Sequence, residues 1–266
     1  MNSRDEISIL VCSHSKADDL WTITGHFLHK YCQDCPYQIY LGANGDNKKE
    51  QCPDQWIYIN QGEDMSWSQS MISYLSVIPT TYVLLWLDDF ILLSNVKSAL
   101  IKKASAFIQN YHPMMLRLTP NPKGTLPFDA SFDRIDVHRK VPYATSLQVS
   151  IWNKNFLLSL LRYGFSPWDF EIKAGKVSES LQQSNHLYVA STSLLHYTHY
   201  VEKGKFYPFI HELISKENIV LNSSRLTLTP KELTMIRKTR WYSHLLHKIL
   251  PQYTNPIRRI FRKHEL

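Results

Sequence analysis

Two adjacent carboxylates, Asp88 and Asp89, close the run Tyr82-Val83-Leu84-Leu85-Trp86-Leu87. Neighbouring acids repel and are costly to desolvate, so they share a cation or stay in water. A divalent metal that also holds a phosphate-bearing substrate is a natural occupant, because Mg²⁺ and Mn²⁺ take a few carboxylates and complete their shell with phosphate oxygens. The alternative is a solvated strand-to-loop turn with two acids and no chemistry. Other titratable residues gather downstream. Asp169 and Glu171 lie in Ser166-Pro167-Trp168-Asp169-Phe170-Glu171, and His196 and His199 in the aromatic stretch Leu195-His196-Tyr197-Thr198-His199-Tyr200. Lys203 and Lys205 flank Gly204. Each has a structural reading as well. Ser166-Pro167-Trp168-Asp169 is a good helix start, with Ser as cap, Pro at the first position and an acid three residues after the cap. The histidines could be packed or surface residues, and the lysines a solvated loop.

These residues need a scaffold, and the hydrophobic pattern supplies one. The run 82–87 is short, rich in β-formers and without helical spacing, so it predicts a strand buried on both faces. Acids at its carboxyl end then sit in the crevice where open α/β sheets bind ligands. Ile7–Cys12 reads as the first strand, followed by the polar turn Ser13-His14-Ser15-Lys16. Asp18–Tyr31 has helical spacing. Tyr37–Leu41 is a second strand closed by the loop Gly42–Asn47, and Trp56–Ile59 a third. Ser66–Ile78 and Val96–Tyr111 read as helices around the strand at 82–87, and Met114–Leu118 as a further strand. Alternation of this kind predicts an α/β domain with a mainly parallel central sheet and helices on both faces. Pro120, Pro122, Gly124 and Pro127 mark a long loop, Asp136–Asn153 alternates like strands, and Asn155–Tyr163 like a helix.

A chain of 266 residues with 44% hydrophobic and 20% charged content has the composition of a soluble globular protein. No apolar run approaches the ~20 residues of a membrane span. The polar start Met1–Glu6 does not look like a signal peptide, and the terminal Lys263-His264-Glu265-Leu266 is discounted as a retention signal for that reason. A cytoplasmic protein is expected. Of the cysteines Cys12, Cys32, Cys35 and Cys52, only Cys32 and Cys35 have C-x-x-C spacing, with no second pair to complete a zinc site. Reduced thiols are expected. Charge is unevenly placed: residues 235–266 hold eight Lys or Arg and one acid, which taken from totals of 30 and 23 leaves 22 of each elsewhere. A neutral body with a cationic tail predicts a localised anionic partner.

A buried strand ending in Leu-Asp-Asp, reached through Trp67-Ser68-Gln69-Ser70 and an amphipathic helix, resembles nucleotide-sugar glycosyltransferases of the GT-A type. The likeness is closest to bacterial enzymes of capsule and lipopolysaccharide clusters. The segments 146–154, 166–171 and 202–208 agree with it, over about residues 6–215. It implies a GT-A-like fold at 1–220, with a donor-binding half at about 1–120 and an acceptor-binding half at about 121–220. It also implies transfer of a sugar from a nucleoside diphosphate to a surface-polysaccharide or lipid-linked glycan. The acids here are adjacent, whereas the family carries Asp-x-Asp, so a metal cofactor (Mn²⁺ or Mg²⁺) is open. Side chains of neighbouring strand residues point apart, and both can reach one cation only if the chain turns. On this reading Asp89 binds metal, Asp88 metal or the donor ribose or sugar, and His199 completes the metal shell. Asp169 is the preferred base that deprotonates the acceptor, with Glu171 next. Lys203 and Lys205 would neutralise diphosphate charge. Ser13, His14, Asp18 and Asn44, with Gln69, would contact the donor.

The tail, 221–266, reads as a basic amphipathic helical segment: Leu245, Leu246, Ile249 and Leu250 recur among bases, as do Ile257, Ile260 and Phe261. Such segments lie on anionic membrane surfaces, at ~1 kcal/mol per basic residue, or dock on the protein body. The expected location is the inner face of the cytoplasmic membrane. A nucleic-acid partner is not expected, since the body lacks a basic groove interleaved with aromatics. Two other functions fit the same residues. One is a non-catalytic sugar-nucleotide or glycan-binding module tethered to a membrane assembly. The other is a nucleotidyltransferase, which ought to show a glycine-rich loop after the first strand and does not.

Overall fold

The computed structural model describes residues 6–62, 65–136, 143–180 and 186–249. The chain forms two compact units, Met1–His199 and Tyr200–Leu266, dividing ahead of the boundary expected at 220. The first unit runs β1 (Ile7–His14), α1 (Asp18–Tyr31), β2 (Ile39–Asn44), β3 (Ile57–Ile59), α2 (Trp67–Val77), β4 (Tyr82–Leu87) and β5 (Phe90–Leu92). It continues with α3 (Ser98–Tyr111), β6 (Met115–Arg117), β7 (Leu126–Pro127), β8 (Phe132–Arg134), β9 (Ser150–Asn153), α4 (Lys154–Leu161), α5 (Pro167–Ser180), β10 (Leu187–Ala190) and β11 (Tyr197–His199).

A nine-stranded sheet is ordered β3-β2-β1-β4-β9-β6-β10-β8-β7. Its first four strands are mutually parallel. β9 then enters antiparallel to both β4 and β6. The α/β reading therefore holds, with the parallel half where the first strand–helix alternation predicted it. Strand alternation sorts the core into two layers. Ile9, Val11, Leu84 and Trp86 point to the side covered by Trp21 and Leu28 of α1 and Phe107 and Ile108 of α3. Leu10, Val83 and Leu85 point to the other, under Met71 and Tyr74 of α2, Leu157 of α4 and Phe170 of α5. Both faces of β4 are buried, as its unbroken apolar run requires.

Several local readings change. β2 extends through Asn44, so the expected loop at 42–47 begins later. Gly42 is needed there, because a Cβ would lie 2.4 Å from the Tyr74 ring. The strands expected in 136–153 reduce to β9. Residues 137–142 lie outside the described set, and 143–149 is irregular chain held by Arg117, whose guanidinium donates to the carbonyls of Pro122, Tyr143 and Ala144 at 2.9, 3.0 and 2.7 Å.

The second unit holds the hairpin β12 (Val201–Glu202) and β13 (Lys205–Phe206), then α6 (Phe209–Lys216) and α7 (Pro230–Ile249). Lys203 and Gly204 both have positive φ, 51° and 73°, the geometry of a two-residue primed turn. Phe206 stacks on Tyr200 with ring centroids 6.2 Å apart. The basic tail is helical through Ile249, and its later apolar and basic residues lie outside the described set. Among the described residues no helix is long and apolar enough to cross a membrane.

Candidate active site

β1, β2 and β4 end together, because Cys12 pairs with Leu87 and His14 with Asn44. Asp88 and Asp89 follow as a tight turn into β5. The strand has ended before them, so the opposed directions expected of neighbouring strand residues do not apply. Both carboxylates are half-buried beyond the tips of the parallel strands.

Asp88 is fixed from three sides. Ser13 Oγ donates to Asp88 Oδ2 at 2.5 Å, and Trp21 Nε1 donates in turn to Ser13 Oγ at 2.7 Å. Thr24 Oγ1 donates to the Asp88 carbonyl at 2.5 Å, and the Asp88 N–H donates to Cys12 O at 3.3 Å. Burial, and then the charge of Asp88, push the neighbouring Cys12 thiol up to about 12. That thiol stays protonated.

The far side of the turn is built on β5 and β11, which pair antiparallel with His199 opposite Phe90. His199 therefore stands one residue along from Asp89 in the ladder. Trp86, Phe90 and Tyr197 pack mutually, with centroids 5.0–6.1 Å apart. The Tyr197 hydroxyl donates to Gln148 Oε1 at 2.5 Å, and burial raises its pKa. An open cleft of about 630 Å³ begins here, lined by Phe90, Thr119, Asn121, Gln148, Tyr197 and His199 among others.

The candidate bases start α5. Asp169 forms the helix start with Ser166, whose Oγ accepts from Asp169 N and donates to its carboxylate, both at 3.2 Å. It also pairs with Lys173 at 2.9 Å, with 35% of its side chain exposed. The structural reading of this motif is thus realised, and it leaves the carboxylate at the surface of a first turn, where the helix dipole favours negative charge. Glu171 Oε1 accepts from Leu147 N at 2.9 Å, one residue before Gln148. Burial pushes the Arg117 guanidinium down to about 10, against the pull of Glu171 and Tyr197. Between the two acids, Phe170 packs edge-on against Trp67 at 5.4 Å. Trp67 in turn lies close enough to the Cys12 thiol beside Asp88 to lower its pKa against burial.

The remaining candidates have structural partners. Asn44 is buried, with its amide spanning Ser70 and Tyr74. Gln69 completes a capping box with Ser66 at the start of α2. His14 Nδ1 accepts from Lys16 N at 3.1 Å, and Asp18 pairs with Lys48 at 3.5 Å. In the second unit Lys203 forms the hairpin turn, and Lys205 bonds Glu232 at 2.6 Å. Sequence reasoning missed Trp21, Thr24, Gln148 and Arg117. Their only signals were a Trp and a Thr on one helix face and a charged residue inside an apolar strand.

No family model matches the sequence, and no curated protein does. Solved structures are similar in shape. S. aureus TarS 1-349 in complex with UDP-GlcNAc superposes with a TM-score of 0.49 at 16% identity, over 76% of this chain and 60% of that one. Its complex with UDP gives 0.47 at 13%, over 72% and 59%. This chain thus spans about three-fifths of the length of those TarS structures. A cytidylyltransferase from Leptospira borgpetersenii gives 0.44 at 12%, over 82% and 98%. Likenesses of this size do not extend to substrate or reaction.

For a divalent cation, the turn offers two carboxylates, with His199 paired to Phe90 one residue along in the ladder. Among the described residues, no three His, Cys, Asp or Glu side chains gather closely enough to hold a metal by themselves. Asp88 and Asp89 would therefore hold Mg²⁺ or Mn²⁺ only together with oxygens supplied by a bound substrate.

Proposed function

We propose that the protein is a glycosyltransferase that takes a sugar from a nucleoside-diphosphate donor and passes it to a surface-polysaccharide or lipid-linked glycan acceptor. One observation carries this reading. The two acids that end the central strand occupy a turn at the carboxyl edge of the parallel strands, with one of them immobilised by Ser13, Trp21 and Thr24. Carboxylates kept in place at that edge suit a polyhydroxyl, phosphate-bearing ligand. The GT-A resemblance of the sequence names the ligand class.

In this account Asp88 receives hydroxyls of the donor ribose or sugar, and Ser13 orients it. Asp89 would hold a divalent cation, with His199 as a further candidate ligand. The cation would supply charge neutralisation for the leaving nucleoside diphosphate. The acceptor lies in the cleft beyond Phe90, where Asn121 and Gln148 offer amides and Tyr197 an aromatic face. Asp169 removes the acceptor proton. Glu171 acts as a positioning residue through Leu147 and Gln148. Of the other donor-site candidates, Asn44 and Gln69 serve through the shape of α2, and His14 and Asp18 stay at the edge of the site.

The tail would bring the enzyme to anionic lipid at the inner face of the cytoplasmic membrane. In the described part of α7, Met235, Trp241 and Tyr242 are more than half exposed beside Arg237 and Lys238, the mixture that partitions to such surfaces. Incubation with nucleoside-diphosphate sugars tests the proposal. An enzyme releases nucleoside diphosphate, slowly to water and faster with an acceptor, whereas a binding module leaves the donor intact.

A further inference from the structure

We propose that Cys32 and Cys35 form a redox-active dithiol that closes reversibly to a disulfide. The two residues bracket the turn that ends α1. The Cys32 N–H caps the helix on Leu28 O at 2.9 Å, and the Cys35 N–H closes the turn on Cys32 O at 3.0 Å. An i to i+3 bond of this kind keeps the Cα atoms within about 7 Å. A disulfide needs Cα atoms roughly 4.4–6.8 Å apart. The turn thus leaves the two Cα atoms within bridging range, and the thiols are close enough to shift each other's pKa in opposite directions. Both are free and half-buried.

Two further features separate this pair from the other thiols. Cys32 and Cys35 line an apolar cavity of about 50 Å³ together with Leu28, Tyr37, Val96 and Ile101. Interiors are otherwise close-packed, so this space lets the sulfurs change rotamer without displacing neighbours. The pair is also chemically unequal. Cys32, and further the N–H of Tyr37, favour the Cys35 thiolate against burial, while Cys35, burial and Asp34 hold Cys32 protonated. Cys12 and Cys52 are pushed up to about 12 and about 11, chiefly by burial.

The reaction partner is a low-molecular-weight disulfide. The Cys35 thiolate attacks one of its sulfurs, the S–S bond breaks, and one small thiolate leaves. Cys32 gives its proton to that thiolate and attacks the Cys35 sulfur, which releases the second small thiolate. Two protein thiols are oxidised and one small disulfide is reduced to two thiols, one of them still ionised in place of the original Cys35 thiolate.

The test uses the folded, reduced protein and glutathione disulfide, followed by acid quenching, unfolding, alkylation and peptide mass spectrometry. Alkylatable thiols should fall from four to two, with Cys32 joined to Cys35. Cys32→Ser should trap glutathione on Cys35, and Cys35→Ser should take it up more slowly on Cys32. Four thiols remaining, a persistent mixed disulfide on the wild-type protein, or a bridge to Cys12 or Cys52 would overturn the proposal. So would faster capture in Cys35→Ser than in Cys32→Ser.

Discussion

Ser13 donates a 2.5 Å hydrogen bond to Asp88 across 75 residues of sequence, and this bond ties the tip of β1 to the acid that ends β4. Ser13 is itself held by the Trp21 indole, so the carboxylate has a support two residues deep. Removing the hydroxyl leaves the indole N–H and the carboxylate without this partner. Ser13→Ala should destabilise the fold by about 1–3 kcal/mol. If Asp88 binds donor, it should weaken nucleoside-diphosphate-sugar binding as well. Urea unfolding and a donor titration on the same variant read the two effects separately. Unchanged donor affinity with lowered stability would confine Ser13 to the fold.

Arg117 should prove a structural keystone. Its guanidinium is fully buried and engages three carbonyls of the segments that carry Asn121 and Gln148. Arg117→Met strands those acceptors and the facing Glu171 charge, and should cost about 3–5 kcal/mol. Denaturant unfolding checks the magnitude. A loss under ~1 kcal/mol would mean that the loops are held by other contacts.

The paired acids of α5 should behave differently. Asp169 makes a first-turn cap and one half-exposed ion pair, worth about 0.3–1 and about 0.3–0.5 kcal/mol. Asp169→Asn should therefore lose little stability but most of kcat, with donor affinity unchanged. Glu171→Gln keeps an acceptor for the Leu147 N–H, so it should retain more activity than Glu171→Ala, which frees the segment before Gln148. The reverse ranking, with Glu171→Gln inactive and Asp169→Asn active, would move the base to Glu171.

Acid should loosen α7 in a defined window. Glu232 is held down to about 2 by Lys205 and by the Thr229 cap, against 4.5 when unperturbed. A depressed carboxylate contributes stability above its unfolded pKa and loses it as pH falls through its folded one. The loss should therefore run from about pH 4.5 to about pH 2, and Glu232→Gln should remove that part of the acid profile. Circular dichroism of the two proteins across this range is the check. Superimposable profiles would show that the Lys205–Glu232 pair has no energetic role.

The tail makes its own prediction. Binding to anionic vesicles should rise with lipid charge and fall with salt, because attraction at a surface is screened over ~10 Å at 0.1 M. Vesicle binding that is insensitive to salt, or that persists after residues 235–266 are removed, would refute an electrostatic tether.

Much of the scaffold was legible because burial on two faces leaves a plain mark. The unbroken run Tyr82–Leu87 had to be a central strand, and helical spacing located α1 and α3 to within two residues. Short strands left weaker marks. β5 and β11 are three residues each, too brief for any period, yet their pairing is what sets His199 beside the acid turn. The candidate acids stood out in the sequence, but the side chains that support them did not. Asn44 and Gln69 read as ligand contacts because polar residues at a strand tip and a helix start suit that role equally well. In the structure their amides bond Tyr74 of α2 and Ser66 at its start. Arg117 was hidden because a charge within the strand pattern gives no hint of three carbonyls brought from elsewhere in the chain.

The central claim is that the Asp88–Asp89 turn binds a nucleoside diphosphate through a divalent cation. Calorimetric titration of nucleoside diphosphates into wild-type protein and Asp89→Asn, each with and without Mn²⁺, tests it most directly. One nucleotide should bind the wild type in Mn²⁺ and lose affinity without it. Asp89→Asn should remain folded and bind about ten- to a hundredfold more weakly, the loss expected of a charge-assisted contact. Equal affinity in the two proteins, or binding indifferent to the metal, would contradict the account.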